Sequence, residues 1–217
     1  MTELNIQIED LIEKKASDFE ISKLFKSSIK EYLASIDNTL ESTGGKEFFV
    51  QHTKKIDKFL IVLYKYILRK YFGSYLPMGS SIPITLIALG SYGREQLCIY
   101  SDIDLMILYE NIPGYNLKPM IEEFITIAWD CGLKLGSRVH ELNDVEACVQ
   151  EDITIKTSMI ESRMIYGSKY LWFGYQNLLN KIRKTNKQQF ILEKLEEHKQ
   201  RLLKYPLKME PNIKDGY

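Results

Sequence analysis

Two short stretches of this sequence carry residue types that could do chemistry together. Asp102 and Asp104 flank Ile103 at the start of one apolar run, and Gly90-Ser91 ends an earlier apolar run. Residues two apart on a strand point to the same face, so the two carboxylates should converge while Ile103 enters the core. Adjacent carboxylates repel each other, and a hard divalent cation such as Mg²⁺ relieves that repulsion. The spacing therefore predicts a metal site at the two aspartates.

The stretch from Gly90 to Arg94 has the features of an anion site. A strand that ends in Gly-Ser and turns into a helix exposes backbone N–H groups at the start of that helix. Ser91 adds a hydroxyl, Arg94 can donate two parallel hydrogen bonds to a phosphate, and Gly93 permits a close backbone approach or a positive φ. Ser101, directly before the first aspartate, is a further candidate for phosphate contact. The combination predicts a site for a nucleoside triphosphate; the structural alternative is a glycine turn beside a surface aspartate pair.

Composition excludes several classes of protein. The 217 residues contain 29 Lys+Arg and 29 Asp+Glu, so the zero net charge gives no global attraction to nucleic acid or an anionic membrane. The N-terminus lacks a signal-peptide pattern, and no segment approaches the roughly 20 apolar residues of a membrane span. Cys98, Cys131 and Cys148 are odd in number and form no CxxC pair, which argues against disulfides and zinc. We therefore expect a cytoplasmic protein.

Helices are predicted on both sides of this central region. In residues 1–72, Ser17 and Glu20 have capping-box spacing, and apolar residues recur at three and four positions. Gly44-Gly45 is expected to end the helix that begins there, and Gly73 to end the next one. After the central region the chain is predicted to be helical in three segments, at residues 151–166, 168–183 and 186–204.

Three short apolar runs are predicted to be strands, at residues 84–89, 103–109 and 133–140. Gly136 within the third run indicates a bulge or a close backbone approach. A helix ending near Cys131 should lie between the second and third strands. The whole pattern predicts an α+β protein with one small sheet, flanked by N-terminal and C-terminal helices.

The Gly-Ser turn followed by Asp-x-Asp resembles the DNA polymerase β-type nucleotidyltransferase superfamily. Four further stretches resemble the N-terminal region of bacterial PII-protein uridylyltransferases, which act in nitrogen signalling: residues 56–60, 129–136, 151–154 together with 161–163 and Gly167, and 210–217. The resemblance implies a small mixed sheet of polymerase β-like fold in a core at residues 73–150. It places this core between an N-terminal helical region (1–72) and a C-terminal helical region (151–204), followed by an extended tail (205–217).

The same resemblance implies an activity. UMP would pass from UTP to a hydroxyl, a tyrosine of a PII-type signalling protein, with release of pyrophosphate and with Mg²⁺ or Mn²⁺ at Asp102 and Asp104. Neither nucleic acid nor a membrane is an expected partner. Residues 210–217 match the start of a longer motif, so the chain is expected to be an N-terminal fragment of a protein whose C-terminal domains are absent here.

Departures from the family pattern leave alternatives open. The superfamily's third carboxylate has no clear counterpart; Glu141, Asp144 and Asp152 are candidates, of which Asp152 is preferred. Gly-Ser-Arg-Val-His stands at residues 136–140, where the family has Gly-His-Ser-Val-Arg. A regulatory nucleotide-binding module with weakened catalysis and transfer to a different protein or a small molecule are the alternative functions.

Two side chains outside these motifs are also candidates. His140, near the end of the third predicted strand, could transfer a proton, although a purely structural histidine fits the sequence as well. Arg163, expected on a helix near the site, could bind phosphate or form a structural ion pair.

Overall fold

The computed structural model of the protein describes residues 2–36, 40, 43–73, 81–151, 153–184 and 187–204. Before the sheet lie α1 (Thr2–Glu13), α2 (Asp18–Ala34) and α3 (Gly45–Phe72). The strands are β1 (Ile84–Ala88), β2 (Ile103–Tyr109), β3 (Leu135–Glu141) and β4 (Arg163–Gly167). The one-turn helix α4 (Gly90–Gly93) follows β1, and α5 (Leu117–Asp130) joins β2 to β3. After β3 come a 3₁₀ turn (Leu142–Asp144), α6 (Val145–Glu151), α7 (Ile153–Ile160), α8 (Lys169–Lys184) and α9 (Lys187–Lys204).

The four strands form one mixed sheet in the order β3-β2-β1-β4. β1 pairs antiparallel with both β2 and β4, whereas β2 and β3 run parallel, with Asp104 opposite Gly136. Helix α5 makes the crossover that a parallel pair requires. The predicted α+β class, with helices before and after one small mixed sheet, is confirmed.

The sheet separates two hydrophobic clusters. Alternate residues of β2 point to opposite faces: Leu105 packs with α3 and α5, and Met106 packs with α6, α7 and α8. The same alternation in β1 sends Leu86 to the first cluster and Ile87 to the second. Helices from both ends of the chain thus share the central strands. The division of the chain at residues 72, 150 and 204 stays a prediction, and the tail at 205–217 lies outside the described residues.

Local sequence signals placed several helix ends correctly. Ser17 caps α2 in a complete capping box, in which its hydroxyl accepts from the Glu20 N–H and its own N–H donates to the Glu20 carboxylate. Gly73 ends α3 with a φ of 63° and donates its N–H to the carbonyl of Arg69. Its ψ is −137°, and this combination of a positive φ with an extended ψ is open to glycine and strained for residues with a Cβ.

Two helix predictions were wrong. Helix α2 ends at Ala34, so Gly44 and Gly45 stand at the start of α3 and do not end α2. The predicted helix over 151–166 ends at Ile160 within the described residues, and Arg163–Gly167 forms β4 against β1. Apolar residues at three- and four-residue spacing fit a helix there, but the free edge of β1 provides backbone partners for an extended segment, and this tertiary pairing prevailed.

No helix within the described ranges combines the length and apolarity needed to cross a membrane. The three cysteines are free thiols, of which Cys98 is exposed and Cys131 is buried.

Candidate active site

The glycine turn at the end of β1 lies directly beside the second aspartate. Gly90 has a φ of +56°, and a Cβ built on it would lie 3.5 Å from Oδ2 of Asp104. The N–H of Leu89 donates to the carbonyl of Asp104 at 2.9 Å, which fixes the turn against β2. Since Gly90 begins a one-turn helix, its N–H and the next two have no partner within that turn. The structure thus brings together the two stretches that the sequence singled out.

The two aspartates stand at the start of β2 as the alternation predicted. Ile103 between them is buried, whereas Asp102 and Asp104 are both exposed. Partial burial raises the pKa of Asp104, and the charge of Asp102 raises it further, against an opposing effect of Arg138. A Cβ built on Gly136 would lie 3.0 Å from Oδ1 of Asp104, so the absence of a side chain there gives the carboxylate its space.

This donor set fits a hard divalent cation. The carboxylates of Asp102 and Asp104 are solvent-accessible, and the charge of Asp102 raises the cost of ionising Asp104. Mg²⁺ and Mn²⁺ favour such oxygen ligands, and Mg²⁺ commonly takes one or two carboxylates together with substrate phosphates. Within the part of the chain that is described, no group of three or more His, Cys, Asp or Glu side chains could hold a metal ion. Two protein carboxylates are therefore what the described residues offer.

Two of the candidates for a third carboxylate, Glu141 and Asp144, lie away from this pair. Glu141 lies opposite Tyr109, five residues along the strands from Asp104, which corresponds to roughly 16 Å at the usual rise per residue. Asp144 lies beyond Glu141, in the 3₁₀ turn that follows β3. Asp152 lies outside the described residues. The described part of the chain leaves the third acid unassigned.

His140 is also remote from the aspartates. It lies opposite Leu108, four residues along β2 from Asp104, which corresponds to roughly 13 Å. Its Nδ1 is 3.4 Å from Sγ of Cys148, and burial lowers its pKa. This distance from the aspartates argues against proton transfer by His140 at the metal site.

The predicted phosphate-binding side chains already make protein contacts. Arg94 forms an ion pair with Glu161 through Nη1 and donates from Nε to Gln96 at 3.2 Å. Ser101 donates its hydroxyl to the carbonyl of Cys98 at 3.0 Å, which closes a local turn before Asp102. Ser91 is half-buried and follows Gly90 on α4. The role of each in phosphate binding stays a prediction.

Sequence reasoning missed Arg138. It lies two residues after Gly136 on β3, on the same strand face, and its charge acts on Asp104. The side chain is exposed, and no ion pair or hydrogen bond to it is found among the described residues. The spacing Gly-x-Arg was visible, but only the parallel pairing of β3 with β2 places this arginine beside the aspartates.

Arg163 forms an ion pair, which is one of the two roles that the sequence allowed. It stands on β4, not on a helix, and donates from Nη1 to Oδ2 of Asp57 at 2.8 Å.

The chain is similar in sequence to a group of enzymes that share one name. No protein-family model matches the chain. A bifunctional uridylyltransferase/uridylyl-removing enzyme of Hydrogenovibrio crunogenus is 38% identical over 153 residues, which is 69% of this chain and 17% of that protein. The enzymes of the same name from Cupriavidus metallidurans and Haemophilus influenzae are 36% and 32% identical over 146 and 142 residues. Each of these matches covers 64% of this chain and 16% of the relative.

The chain is homologous to the N-terminal region of these uridylyltransferases. It spans about one sixth of the length of the relatives that it matches.

Proposed function

We propose that this chain is a metal-dependent nucleotidyltransferase that transfers UMP from UTP to a hydroxyl group and releases pyrophosphate. The proposed acceptor is a tyrosine of a PII-type signalling protein. The observation that carries the proposal is the position of Gly90 against Asp104, because it brings the turn that we propose to bind phosphate next to the aspartate pair. The homology to uridylyltransferases supports the choice of nucleotide.

The chain's own residues would bind and orient the nucleotide. The N–H groups of Gly90 and Ser91, which have no partner within the turn, would donate to phosphate oxygens together with the Ser91 hydroxyl. Arg94 has a second terminal nitrogen, Nη2, for which no contact is found among the described residues, so it can reach a phosphate while Glu161 holds Nη1. Arg138 would add a positive charge on the other side of Asp104. Catalysis of this kind consists mainly of positioning and charge stabilisation.

Asp102 and Asp104 would hold Mg²⁺ or Mn²⁺. When bound, such an ion supplies Lewis-acid stabilisation of the charge that develops on the phosphate oxygens. Burial, and to a smaller extent the charge of Asp102, raise the pKa of Asp104, and a nearby counter-charge would oppose both effects. The binding of a cation would lower that pKa and fix both side chains.

One observation favours a second candidate function. The described residues contain no third acid beside the aspartate pair to take the proton of the acceptor hydroxyl. A chain that binds the nucleotide without turning it over would be a regulatory module. Transfer to another protein or to a small molecule is a further alternative, because nothing described fixes the acceptor.

The decisive experiment uses UTP labelled at the α-phosphate. The chain is incubated with Mg²⁺, labelled UTP and a PII-type protein, and both pyrophosphate and protein-bound label are measured. We expect label on a tyrosine, and a loss of about 100-fold or more in Asp104→Asn because one of the two predicted metal ligands loses its charge. Asp10→Asn, which removes an exposed carboxylate on α1, serves as the matched control and should keep full activity.

The outcomes separate the candidates. Pyrophosphate release without label on the PII-type protein would retain the nucleotidyltransferase and move the search to other acceptors. Tight, Mg²⁺-dependent binding of UTP without pyrophosphate release would favour the regulatory module. A chain that binds no nucleoside triphosphate would contradict both.

A further inference from the structure

A buried polar network connects the Gly90–Gly93 turn to helix α3. Tyr92, the third residue of α4, is fully buried, and its hydroxyl donates to Oδ1 of Asp57 at 2.6 Å. Asp57 belongs to α3, and its side chain is only 12% exposed. The turn that carries the predicted phosphate donors is therefore tied to a helix 35 positions earlier in the chain.

Arg163, which follows the turn in the sequence, is the third member of this network. Its two terminal nitrogens donate to both carboxylate oxygens of Asp57, at 2.8 and 3.1 Å, and Nη2 lies 3.4 Å from the carbonyl of Tyr92. The guanidinium also lies over the Tyr92 ring, 5.6 Å from its centroid. Burial opposes the charge of Arg163, but the hydrogen bonds and charge of Asp57 raise its pKa above the ordinary value. Both oxygens of the Asp57 carboxylate therefore accept hydrogen bonds from Arg163.

The far end of the same loop is tied to the same helix. Thr53 stands one helical turn before Asp57 on α3, and its hydroxyl oxygen accepts from the N–H of Leu97 at 3.3 Å. Between these two anchor points, Gly93 packs so tightly that a Cβ there would lie 2.0 Å from the carbonyl oxygen of Glu161. Residues 92–97 are thus held between α3 and the start of β4.

The network does not contribute to the metal site itself. Arg163 lies opposite Ala88, and Ala88 lies opposite Leu105, so these residues point to one face of the sheet. Asp104 is the neighbour of Leu105 on the strand, and its carboxylate belongs to the other face. Asp57 therefore contacts the turn on the face of the sheet opposite the Asp104 carboxylate, and it is not the missing third carboxylate.

We infer that Asp57, Arg163 and Tyr92 are positioning residues that fix the Gly90–Gly93 turn in the geometry that binds the nucleotide phosphates. The part of this inference that concerns nucleotide binding rests on the proposed function. The part that concerns the geometry of the turn rests on the contacts alone. A buried ion pair is weak evidence for stability, because an apolar group of similar size often packs as well. Its clearest value is in specifying one arrangement, and here the arrangement specified is that of the phosphate-binding backbone.

The test begins without any nucleotide. Hydrogen exchange followed by NMR is measured on the whole chain for the amides of Gly93, Arg94, Gln96 and Leu97, whose bonds define the loop. In Tyr92→Phe and Asp57→Asn we expect these amides to exchange about 10- to 100-fold faster, the range that corresponds to one hydrogen bond with a charged partner. The amides of β2 should keep their protection.

The second readout is affinity for UTP with Mg²⁺, measured by calorimetry. Both variants should bind UTP about 10-fold more weakly or worse, because the phosphate donors lose their fixed spacing. Arg163→Lys keeps the charge but loses the two-pronged contact, so its effect should be intermediate. Lys70→Met is the matched control: it removes ion pairs from the same helix to Asp18 and Glu123, away from the turn, and should change neither readout.

The possible results are distinct. Unchanged exchange in the loop, or faster exchange spread evenly over the sheet, would overturn the inference and leave a purely structural ion pair. If the wild-type chain binds no UTP, the proposed function fails, and the exchange pattern still decides whether the network positions the turn. Faster loop exchange with full UTP affinity would separate the network from nucleotide binding and refute its positioning role.

Discussion

At the scale of single residues, Asp104 connects the proposed chemistry with a cost in stability. Partial burial and the charge of Asp102 raise the pKa of the Asp104 carboxyl group, so ionisation of this group costs more free energy in the folded chain. A site that keeps such a carboxylate charged for metal binding is less stable at neutral pH than a neutral version would be.

This cost predicts a pH-dependent stability difference. Because the pKa of Asp104 is higher in the folded than in the unfolded chain, its contribution destabilises the fold as pH rises through the interval between the two values. In metal-free buffer at pH 7, Asp104→Asn should therefore raise the melting temperature by about 1–2 °C. The gain should vanish below about pH 4, where the carboxyl is protonated in both states. Thermal unfolding followed by circular dichroism at pH 7 and pH 3.5 measures it.

Asp10→Asn is the control for this prediction, because Asp10 is exposed and pairs with Lys14 on α1. It should show no gain at pH 7. A gain for Asp104→Asn that persists in acid would show that packing, and not charge, is responsible.

Gly136 gives a second prediction at this scale. A methyl group there would stand 3.0 Å from Oδ1 of Asp104, so Gly136→Ala should displace the carboxylate. We expect the affinity for Mg²⁺ and UTP to fall by about 10-fold or more. Gly174→Ala, in which the new Cβ meets only the flexible end of Leu142 at 3.1 Å, is the matched substitution and should bind normally. Equal titrations for the two variants would argue against a metal role for Asp104.

At the scale of elements, the helix ends show how strongly local chemistry acts. The capping box of α2 satisfies backbone donors at both Ser17 and Glu20. Helix α2 packs on α1 and α5, so its stability contributes to the fold without touching the candidate site.

We therefore expect Ser17→Ala to lower the unfolding free energy by about 1 kcal/mol. Ser27→Ala on the same helix removes only a bond from the side chain to the Leu24 carbonyl and should be neutral or slightly stabilising. Denaturant titrations of both variants make the comparison, and UTP affinity should be equal in the two. A similar loss in both would indicate that helix propensity, and not the cap, controls this element.

At the scale of the whole molecule, one sheet contributes side chains to two hydrophobic cores. Leu60 lies in the cluster between the sheet and the N-terminal helices, and Leu171 lies in the cluster on the opposite face. Both side chains are fully buried. Since β1 and β2 contribute to both clusters, neither core can be lost without exposing the strands of the other.

This shared sheet predicts cooperative unfolding. Leu60→Ala and Leu171→Ala should each lower the unfolding free energy by about 2–5 kcal/mol and leave a single transition. Trp129 on α5 and Trp172 on α8 report on opposite faces, so single-tryptophan versions should give the same midpoint. Two separate midpoints would instead support the division into independent helical and core regions.

The sequence by itself determined the features that depend on near neighbours. The alternation of Asp102, Ile103 and Asp104 and the cap at Ser17 each involve residues within one turn or strand. Such short-range preferences are properties of the local backbone and survive in any tertiary context that keeps the element. They were enough to predict the strands β1 and β2 and the core of the candidate site.

Only the tertiary structure decided which distant groups meet that core. The segment at Arg163 became a strand because β1 had an unpaired edge, and the same pairing carried its guanidinium to Asp57. The parallel pairing of β3 brought Gly136 and Arg138 beside Asp104 and carried Glu141 away. Strand order and register are set by the joint packing of two cores, and no window of sequence contains that information.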